Sequence, residues 1–266
     1  MNSAPAYIME DPREAMRLEL KVDPEAWVRK YLVGRFKPQA EVLSVGCGPG
    51  MMLRQLCAIA PSIRATGIDI SAERIRDAAH KHAASARLKF VRGDAHAMQF
   101  PSDSFDLVYA RMLFQYLRDK QRAAAEMVRV CRPGGILLFQ DLDGQLLWNY
   151  PEDPALQRAV EKVVAGLAKT GFDPFVGRKL FSLARKAGLN NIAVQVESYH
   201  LIAGEIDPAI LKQWELKLEI ALPMIAQTLG DMRAAREQAQ RFLDYLRRPD
   251  TLTYSNVFTV TGQKPL

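Results

Sequence analysis

The chain is poor in cysteine and has no long apolar segment. Its three cysteines stand at unrelated spacings among 266 residues, which argues against a disulfide framework and a zinc pattern. No apolar run reaches the roughly 18 residues of a membrane span, and residues 1–7 lack the basic start and apolar core of a signal peptide. We therefore expect a cytoplasmic protein without membrane insertion and without a metal site.

Concentrated charge is also missing. The formal net charge is +6, but the basic residues are scattered, with no long basic run and no interleaved aromatics. Scattered charge makes a nucleic-acid partner unlikely, and an RNA substrate remains the outside alternative. The hydrophobic fraction of 48% and the charged fraction of 25% are typical of a globular protein.

Residues 42–140 alternate between strand-like and helix-like segments. Short apolar runs predict strands at 42–45, 65–70, 88–92, 105–110 and 136–140. The segments between them predict helices at 51–60, 71–84 and 120–131. Five such alternations predict an α/β fold with a parallel, doubly wound sheet.

The pattern changes beyond residue 143. Predicted helices cover residues 155–169, 177–187 and most of 207–248. Breaks are expected in the last of these at Pro223 and Gly230. Residues 192–199 and 253–262 alternate apolar and polar side chains, so we expect them to pair and to complete a mostly parallel seven-stranded sheet.

These segments predict a core and a helical lid. The core is expected to comprise residues 35–204 and the final strand within 251–266. A helical insertion between the last two strands is expected over the carboxyl edge of the sheet. We therefore predict that the segments 1–34, 144–173 and 205–250 form a lid over the substrate pocket.

The most informative stretch is a strand that runs into three glycines at alternate positions, Gly46, Gly48 and Gly50. Glycine lets the backbone turn sharply and approach a ligand that a Cβ would push away. Met51 stands where the dinucleotide fingerprint needs a third small residue, so a nicotinamide cofactor fits poorly. The run predicts a cradle for a nucleoside-bearing cofactor.

Two acids follow the next two predicted strands. Asp69 stands 19 positions after Gly50, where a carboxylate can accept both hydroxyls of a ribose. Its alternative role as a helix N-cap is already served by Ser71. Asp94 can accept from the exocyclic amine of adenine while the Ala95 amide donates to a ring nitrogen.

In order and spacing, these segments resemble the class I S-adenosylmethionine-dependent methyltransferases, most closely the ubiquinone-biosynthesis-type methyltransferase-domain group. The resemblance covers about residues 41 to 140. It rests on the segments Gly46-Cys47-Gly48-Pro49-Gly50, Gly67-Ile68-Asp69, Gly93-Asp94-Ala95, Phe100-Pro101-Ser102-Asp103-Ser104-Phe105-Asp106 and Arg132-Pro133-Gly134-Gly135. It implies a Rossmann-like fold, S-adenosylmethionine as cofactor and S-adenosylhomocysteine as its product.

Two further stretches resemble a bacterial subset of this family. The segment with Tyr7 and Arg17 is similar to one that folds over the cofactor, although a solvated helix face is an equal alternative for Arg17. The segment that begins at Arg111 is similar to one after the fourth strand. That likeness implies that the Arg111 guanidinium lies near the methionine end of the cofactor and meets its carboxylate.

Ser44 departs from the family pattern. The family usually has an acid there, which helps to hold the ammonium group of the methionine moiety. Either Arg111, Tyr7 and backbone carbonyls suffice without it, or cofactor binding is weakened. The predicted cofactor-binding residues are Tyr7, Arg17, Ser44, Gly46, Cys47, Gly48, Gly50, Asp69, Ile70, Asp94, Ala95 and Arg111.

Methyl transfer from a sulfonium needs alignment and exclusion of water more than a strong base. The candidate bases are His200 and Tyr199, which end a predicted strand that leads into the lid; a structural role is the alternative for the histidine. Gln115 and Tyr116 follow the fourth strand and are predicted to orient an acceptor.

The sequence also bears on the acceptor. It has no Asn-Pro-Pro-Tyr, Asp-Pro-Pro-Tyr or Pro-Cys motif, which disfavours methylation of DNA bases or of glutamine. The aromatic residues of the lid segments favour a small, fairly apolar acceptor. We predict methyl transfer to O, N or C of a metabolite in specialised metabolism. The alternatives are a methyltransferase-like catalyst of cyclisation or rearrangement and a non-catalytic, cofactor-binding regulatory partner. Nothing in the sequence indicates the oligomeric state.

Overall fold

The computed structural model describes Arg13, residues 22–83 and residues 85–266, apart from the side chains of residues 145–147. Tyr7, Arg17 and most of the predicted N-terminal lid segment lie outside the described residues. The chain divides into two compact units. The core unit contains Val22–Asp141, Val176–Val196 and Phe258–Leu266, and the helical unit contains Leu142–Phe175 and Glu197–Val257.

Seven strands form a single sheet. They are β1 (Glu41–Val45), β2 (Arg64–Asp69), β3 (Leu88–Arg92), β4 (Phe105–Arg111), β5 (Cys131–Tyr150), β6 (Asn190–Ala203) and β7 (Leu252–Gln263). Their order is β3-β2-β1-β4-β5-β7-β6, and β1, β2, β3, β4 and β5 pair in parallel with their neighbours among them. The predicted α/β fold with a doubly wound, mostly parallel seven-stranded sheet is confirmed, and so is the pairing of the last two strands.

Eight helices accompany the strands in the part of the chain that the structure describes. They are α1 (Pro24–Tyr31), α2 (Met51–Ile59), α3 (Ala72–Lys81), α4 (Lys120–Val130), α5 (Pro154–Ala168), α6 (Leu180–Lys186), α7 (Pro208–Leu229) and α8 (Met232–Leu246). Short 3₁₀ turns cover Phe114–Tyr116 and Gly177–Lys179. The helical unit holds α5, α7 and α8, and β5, β6 and β7 contribute residues to both units.

Side chains cap most of the helix starts. The oxygen of Ser71 accepts from the Arg74 amide at the start of α3, as the sequence predicts. Aspartates do the same for five other helices, at Asp23, Asp119, Asp153, Asp207 and Asp231. Each cap satisfies backbone N–H groups that have no partner inside the helix, so these boundaries are encoded locally.

Alternating side chains of β1 point to opposite faces of the sheet. Leu43 and Val45 belong to an apolar cluster with residues of α4 and α6. Val42 belongs to a second cluster, which contains Trp27 of α1 and residues of α2. Ser44 therefore points to the second face, which we call the α1 face.

The same alternation places polar groups at the carboxyl end of β4 and at the adjacent position of β5. Tyr109 and Leu138 lie in the cluster of the α1 face and are register partners. Arg111 and Gln140, two residues further along each strand, are also register partners and share that face. The α1 face thus ends in polar side chains where parallel sheets bind their ligands.

Two features differ from the sequence prediction. Residues 24–31, predicted as part of the lid, form α1 within the core unit, because its apolar side packs on the sheet. The predicted break at Pro223 is wrong, since α7 runs through it to Leu229. The burial of Ala221 and Ile225 on either side offsets the roughly 3 kcal/mol that an internal proline costs. Gly230, with a φ of +84°, ends the helix as predicted.

None of the described helices combines the length and the apolar character that crossing a membrane would require. The cytoplasmic location stays a prediction.

Candidate cofactor site

The glycine loop after β1 adopts the conformation that its sequence predicts. Gly46, Gly48 and Gly50 have φ values of +70°, +53° and +79°, which residues with a Cβ rarely adopt. A Cβ added to Gly48 would meet no atom within 4 Å, so this position faces open space. One added to Gly50 would lie 2.6 Å from the Phe90 ring. Gly48 is itself buried, so this free space lies beside the backbone of the loop, where a ligand could approach it closely.

Asp69 lies at the end of β2 beside this loop. Its Oδ2 accepts from the Gly48 amide at 2.9 Å, and its Oδ1 accepts from the Ser71 amide at 3.0 Å. Each carboxylate oxygen has a second lone pair for a ligand hydroxyl. Ile70 follows with 38% of its surface exposed, so an apolar side chain is available next to the carboxylate.

Asp94 lies just beyond β3 and is held by His96. Its Oδ1 accepts from the His96 amide at 2.9 Å and lies 2.7 Å from His96 Nδ1. Partial burial raises the pKa of Asp94, but the bonds from His96 and the charge of Arg122 lower it below its ordinary value. The carboxylate is therefore charged at neutral pH. Its Oδ2 receives no hydrogen bond from any described residue, and the neighbouring Ala95 is buried.

The predicted methionine end holds Ser44 and Arg111. The Arg111 guanidinium carbon lies 5.6 Å from the centroid of the Trp27 ring, a cation–π contact. Trp27 Nε1 donates to Gln140 Oε1 at 2.7 Å, and Gln140 Nε2 donates to Thr259 Oγ1 at 2.7 Å. A buried chain of polar contacts therefore runs from β7 through β5 to α1 and ends under Arg111.

Sequence reasoning missed Trp27, Tyr109 and Gln140. The spacing of apolar residues in 24–31 shows that Trp27 is buried, but not which strand it meets. Gln140 ends a predicted strand and is the register partner of Arg111. This pairing can be suggested from the sequence only if β4 and β5 are first assumed to be neighbours and their residues are aligned.

Four buried polar atoms of the core unit have no hydrogen-bond partner among the residues that the structure describes: His96 Nε2, the Tyr109 hydroxyl, Arg111 Nε and Gln115 Oε1. Burial raises the pKa of Tyr109, so its phenol is neutral. Buried polar groups in proteins are nearly always hydrogen-bonded, so such orphans indicate where a polar ligand belongs. Together with the free space beside the Gly48 backbone, they fit a nucleoside cofactor with an amino-acid end.

Cys47, in the middle of the loop, is no nucleophile. Burial and the neighbouring Asp69 charge raise the pKa of its thiol far above the ordinary value. The reactive form of cysteine is the thiolate, which is therefore negligible at neutral pH. Cys47 stabilises the loop through its backbone. Its amide donates to the Ile68 carbonyl, and its carbonyl accepts from the Gly50 amide.

Gln115 and Tyr116 lie together in the 3₁₀ turn after β4, within the core unit. Gln115 is buried, and its amide donates to Asp141 Oδ2 at 3.1 Å. The backbone of the residue that was predicted to orient an acceptor is thus anchored to β5, while its side-chain Oε1 has no partner among the described residues. Tyr116 is half-buried.

His200 and Tyr199 lie in the helical unit, near the carboxyl end of β6. Their rings are 4.3 Å apart, and the His200 ring is 5.2 Å from that of Trp214. His200 Nδ1 lies 3.4 Å from the Ser255 hydroxyl, and its φ of +53° is a conformation uncommon for residues other than glycine. The structure therefore brings the predicted residues together in two pairs, one in each unit.

A protein-family model described as a methyltransferase domain matches residues 43–139, from β1 into β5. The 2-methyl-6-phytyl-1,4-hydroquinone methyltransferase of Synechocystis is 35% identical over 129 residues, which are 47% of this chain and 40% of that protein. The malonyl-[acyl-carrier protein] O-methyltransferase of Enterobacter lignolyticus is 33% identical over 127 residues, 46% of each protein. The match thus spans less than half the length of these relatives.

Among solved structures, a phosphoethanolamine N-methyltransferase of Haemonchus contortus, in complex with phosphomonomethylethanolamine and S-adenosylhomocysteine, is similar in fold. The TM-score is 0.58 at 18% identity, covering 91% of this chain and 52% of the other. The likeness supports the Rossmann-like sheet. The domain match over residues 43–139 and the relatives that share it show that this part of the chain is similar to methyltransferase domains.

Proposed function

We propose that this chain transfers the methyl group of S-adenosylmethionine to an oxygen, nitrogen or carbon of a small, fairly apolar metabolite. The observation that carries the proposal is the set of unpartnered polar atoms, Tyr109 Oη, Arg111 Nε and Gln115 Oε1, in the unit that also holds the open glycine loop. Both named relatives are methyltransferases, and the Synechocystis protein acts on a hydroquinone with a phytyl chain.

The core unit offers partners for each part of the cofactor. Asp69 would hold the ribose hydroxyls, Asp94 and the Ala95 amide the adenine, and Arg111 the carboxylate of the methionine end. The backbone of the Gly46 to Gly50 loop would lie against the nucleoside. Tyr7 and Arg17, outside the described residues, keep their proposed place over the cofactor.

When bound, the cofactor supplies a methyl group activated by a positively charged sulfur. The chain then has to align the acceptor and exclude water, because direct displacement needs a collinear approach more than a base. Gln115 and Tyr116 are proposed to orient the acceptor. His200 is proposed to remove a proton where the acceptor carries one, with the Ser255 hydroxyl near Nδ1 and Tyr199 beside the ring.

The helical unit is proposed to select the acceptor. It contains the aromatic residues Trp148, Tyr254 and Trp214, with the first two stacked at 6.5 Å. The alternatives of a cyclase, a regulatory partner or an RNA methyltransferase draw no support from the contacts of the described residues.

The experiment is to measure S-adenosylhomocysteine binding by calorimetry and then product mass with a panel of small apolar phenols, amines and carboxylic acids. A product heavier by one methyl group is expected, together with release of S-adenosylhomocysteine. A product of unchanged mass would favour rearrangement. Cofactor binding without turnover, and copurification with an active methyltransferase, would favour the regulatory alternative.

A further inference from the structure

Arg111 is a cation without a counter-ion among the described residues. No carboxylate among the residues that the structure describes forms an ion pair or hydrogen bond with it, and its buried Nε has no partner. Its contact is with the face of Trp27, which stabilises the charge without neutralising it. A buried or half-buried guanidinium in this state is prepared for an anion.

The position that usually carries the family's acid is neutral here for a structural reason. Ser44 of β1 is the register partner of Tyr109 of β4, and both point to the α1 face. They are 4% and 1% exposed, so the phenol ring fills the space beside the serine. Burial raises the pKa of Tyr109, while the facing Ser44 hydroxyl and Arg111 lower it, and the phenol remains neutral.

An acid at position 44 would share its face with Arg111. Arg111 is two residues beyond Tyr109 on the adjacent parallel strand, so its side chain is the next one along the same face of the sheet. Such a carboxylate would divide its interaction between the arginine and the ligand's ammonium group. Ser44 removes that competition from the described part of the site, where no carboxylate pairs with Arg111.

Other described acids near this edge are engaged elsewhere. Asp69 accepts from the Gly48 and Ser71 amides at the end of β2. Asp141 accepts from the Gln115 amide and, as the residue after Gln140, points to the opposite face of β5.

We propose that the described residues of this chain offer the methionine end of its cofactor a charged partner only for the carboxylate, with Arg111 as the binding group, Trp27 as its positioning residue and the neutral pair Ser44 and Tyr109 where the family places a charge for the ammonium. The inference rests on the cofactor role of Arg111 in the proposed function. Its consequence is a relaxed requirement for the α-amino group. Cofactor analogues that keep the carboxylate and lack the amine are therefore ligands.

The direct test uses the unmodified protein and three thioethers in calorimetry: S-adenosylhomocysteine, its deaminated analogue and its decarboxylated analogue. Loss of the amine should change the dissociation constant less than about threefold. Loss of the carboxylate should weaken binding by roughly 10- to 100-fold, the range for a lost charged hydrogen bond. If the deaminated analogue binds tenfold or more weakly than S-adenosylhomocysteine, the inference is overturned, whichever acid of the full chain binds the ammonium group.

Failure of this inference and failure of the proposed function are distinguishable. If S-adenosylhomocysteine binds and the deaminated analogue does not, only the inference fails. If S-adenosylhomocysteine itself does not bind, the proposed function fails and takes the inference with it.

A substitution at position 44 should reverse the preference. Ser44→Asp is expected to make binding depend on the amine and to weaken the deaminated analogue relative to S-adenosylhomocysteine by about tenfold. Ser44→Asn is the matched control, because asparagine has the size of aspartate without its charge. This variant should leave the ratio of the two dissociation constants, for the deaminated analogue and for S-adenosylhomocysteine, unchanged. An unchanged ratio in a folded Ser44→Asp variant would contradict the proposal.

The role of Trp27 has its own readout. Trp27→Leu removes the ring under Arg111, whereas Trp27→Phe keeps a ring and removes the bond to Gln140. S-adenosylhomocysteine should bind more weakly to Trp27→Leu, by about tenfold, with partial recovery in Trp27→Phe. 5′-Methylthioadenosine, which lacks the amino-acid chain, should bind both variants as it binds the original protein. Equal losses for both ligands would show that Trp27 is only structural.

Discussion

Trp27 and Arg111 meet on the α1 face of the sheet, with the guanidinium carbon 5.6 Å from the indole centroid. The indole nitrogen is anchored at the same time, because it donates to Gln140 Oε1 at 2.7 Å. The ring orientation is therefore determined by a hydrogen bond to β5, and the ring in turn limits where the cation of β4 can lie. A helix that precedes the first strand thus takes part in the organisation of the candidate cofactor site.

The open space at Gly48 predicts an effect on binding that is separate from stability. Gly48→Ala places a methyl group where no atom lies within 4 Å but at a φ of +53°. We expect the free energy of unfolding to fall by about 1–2 kcal/mol, the cost of left-handed backbone for a residue with a Cβ. S-adenosylhomocysteine binding should fall much further in calorimetry.

Gly188→Ala is the matched control for this variant. Gly188 has a φ of +83°, also faces open space and follows α6, away from the glycine loop in sequence. It should lose a similar amount of stability in urea unfolding and keep its cofactor affinity. Equal affinities for the two variants would mean that the loop at Gly48 does not contact the ligand.

Asp69 is expected to contribute to cofactor affinity. Asp69→Ala removes the carboxylate that accepts hydrogen bonds from the Gly48 and Ser71 amides. S-adenosylhomocysteine binding should weaken by about 1.5–3 kcal/mol, the range for a lost charged hydrogen bond. Asp77→Ala, at an exposed position of α3, removes the same charge and should leave affinity unchanged in calorimetry. Unchanged affinity in Asp69→Ala would exclude its role at the ribose.

Asp94 predicts part of the acid sensitivity of the fold. Burial raises its pKa, but the bonds from His96 lower it to below the ordinary value, so folding favours the charged carboxylate. That contribution is complete above the ordinary pKa of about 4 and is lost as the pH falls through the lower folded-state value. Asp94→Asn should therefore lose less stability than the original protein between about pH 6 and pH 3.

Urea unfolding at the two pH values measures this difference. Asp77→Asn serves as the control, since its exposed side chain should leave the pH dependence as it is. If Asp94→Asn and the original protein lose the same stability on acidification, the His96 bonds do not stabilise the charged form in solution.

His200 tests the proposed acid–base step. His200→Gln should lower kcat by roughly 10²- to 10⁴-fold for an acceptor that loses a proton, because a positioned base contributes that much. Cofactor affinity should not change. His80→Gln, exposed on α3, is the control and should retain activity. An unchanged kcat would show that His200 does not act as the base and that the chain promotes the reaction of that acceptor by alignment only.

The sequence predicted the core well where information is local. The strands from β1 to β4 begin and end within a residue or two of the predicted ranges, because short apolar runs between turn residues form strands in any buried parallel sheet. The cap at Ser71 and the end of α7 at Gly230 also follow from single residues. Pro223 misled because tertiary packing of α7 outweighs a local cost.

By itself the sequence determined the α/β alternation, the glycine loop with its need for positive φ and the acids at the ends of the second and third strands, since each depends on neighbours along the chain. Only the tertiary structure decided that α1 packs on the core sheet, that Trp27 lies under Arg111 and that Tyr109 fills the place beside Ser44. These contacts join residues up to 113 positions apart, as between Trp27 and Gln140. Their partners are selected by strand order and register, which no local pattern specifies.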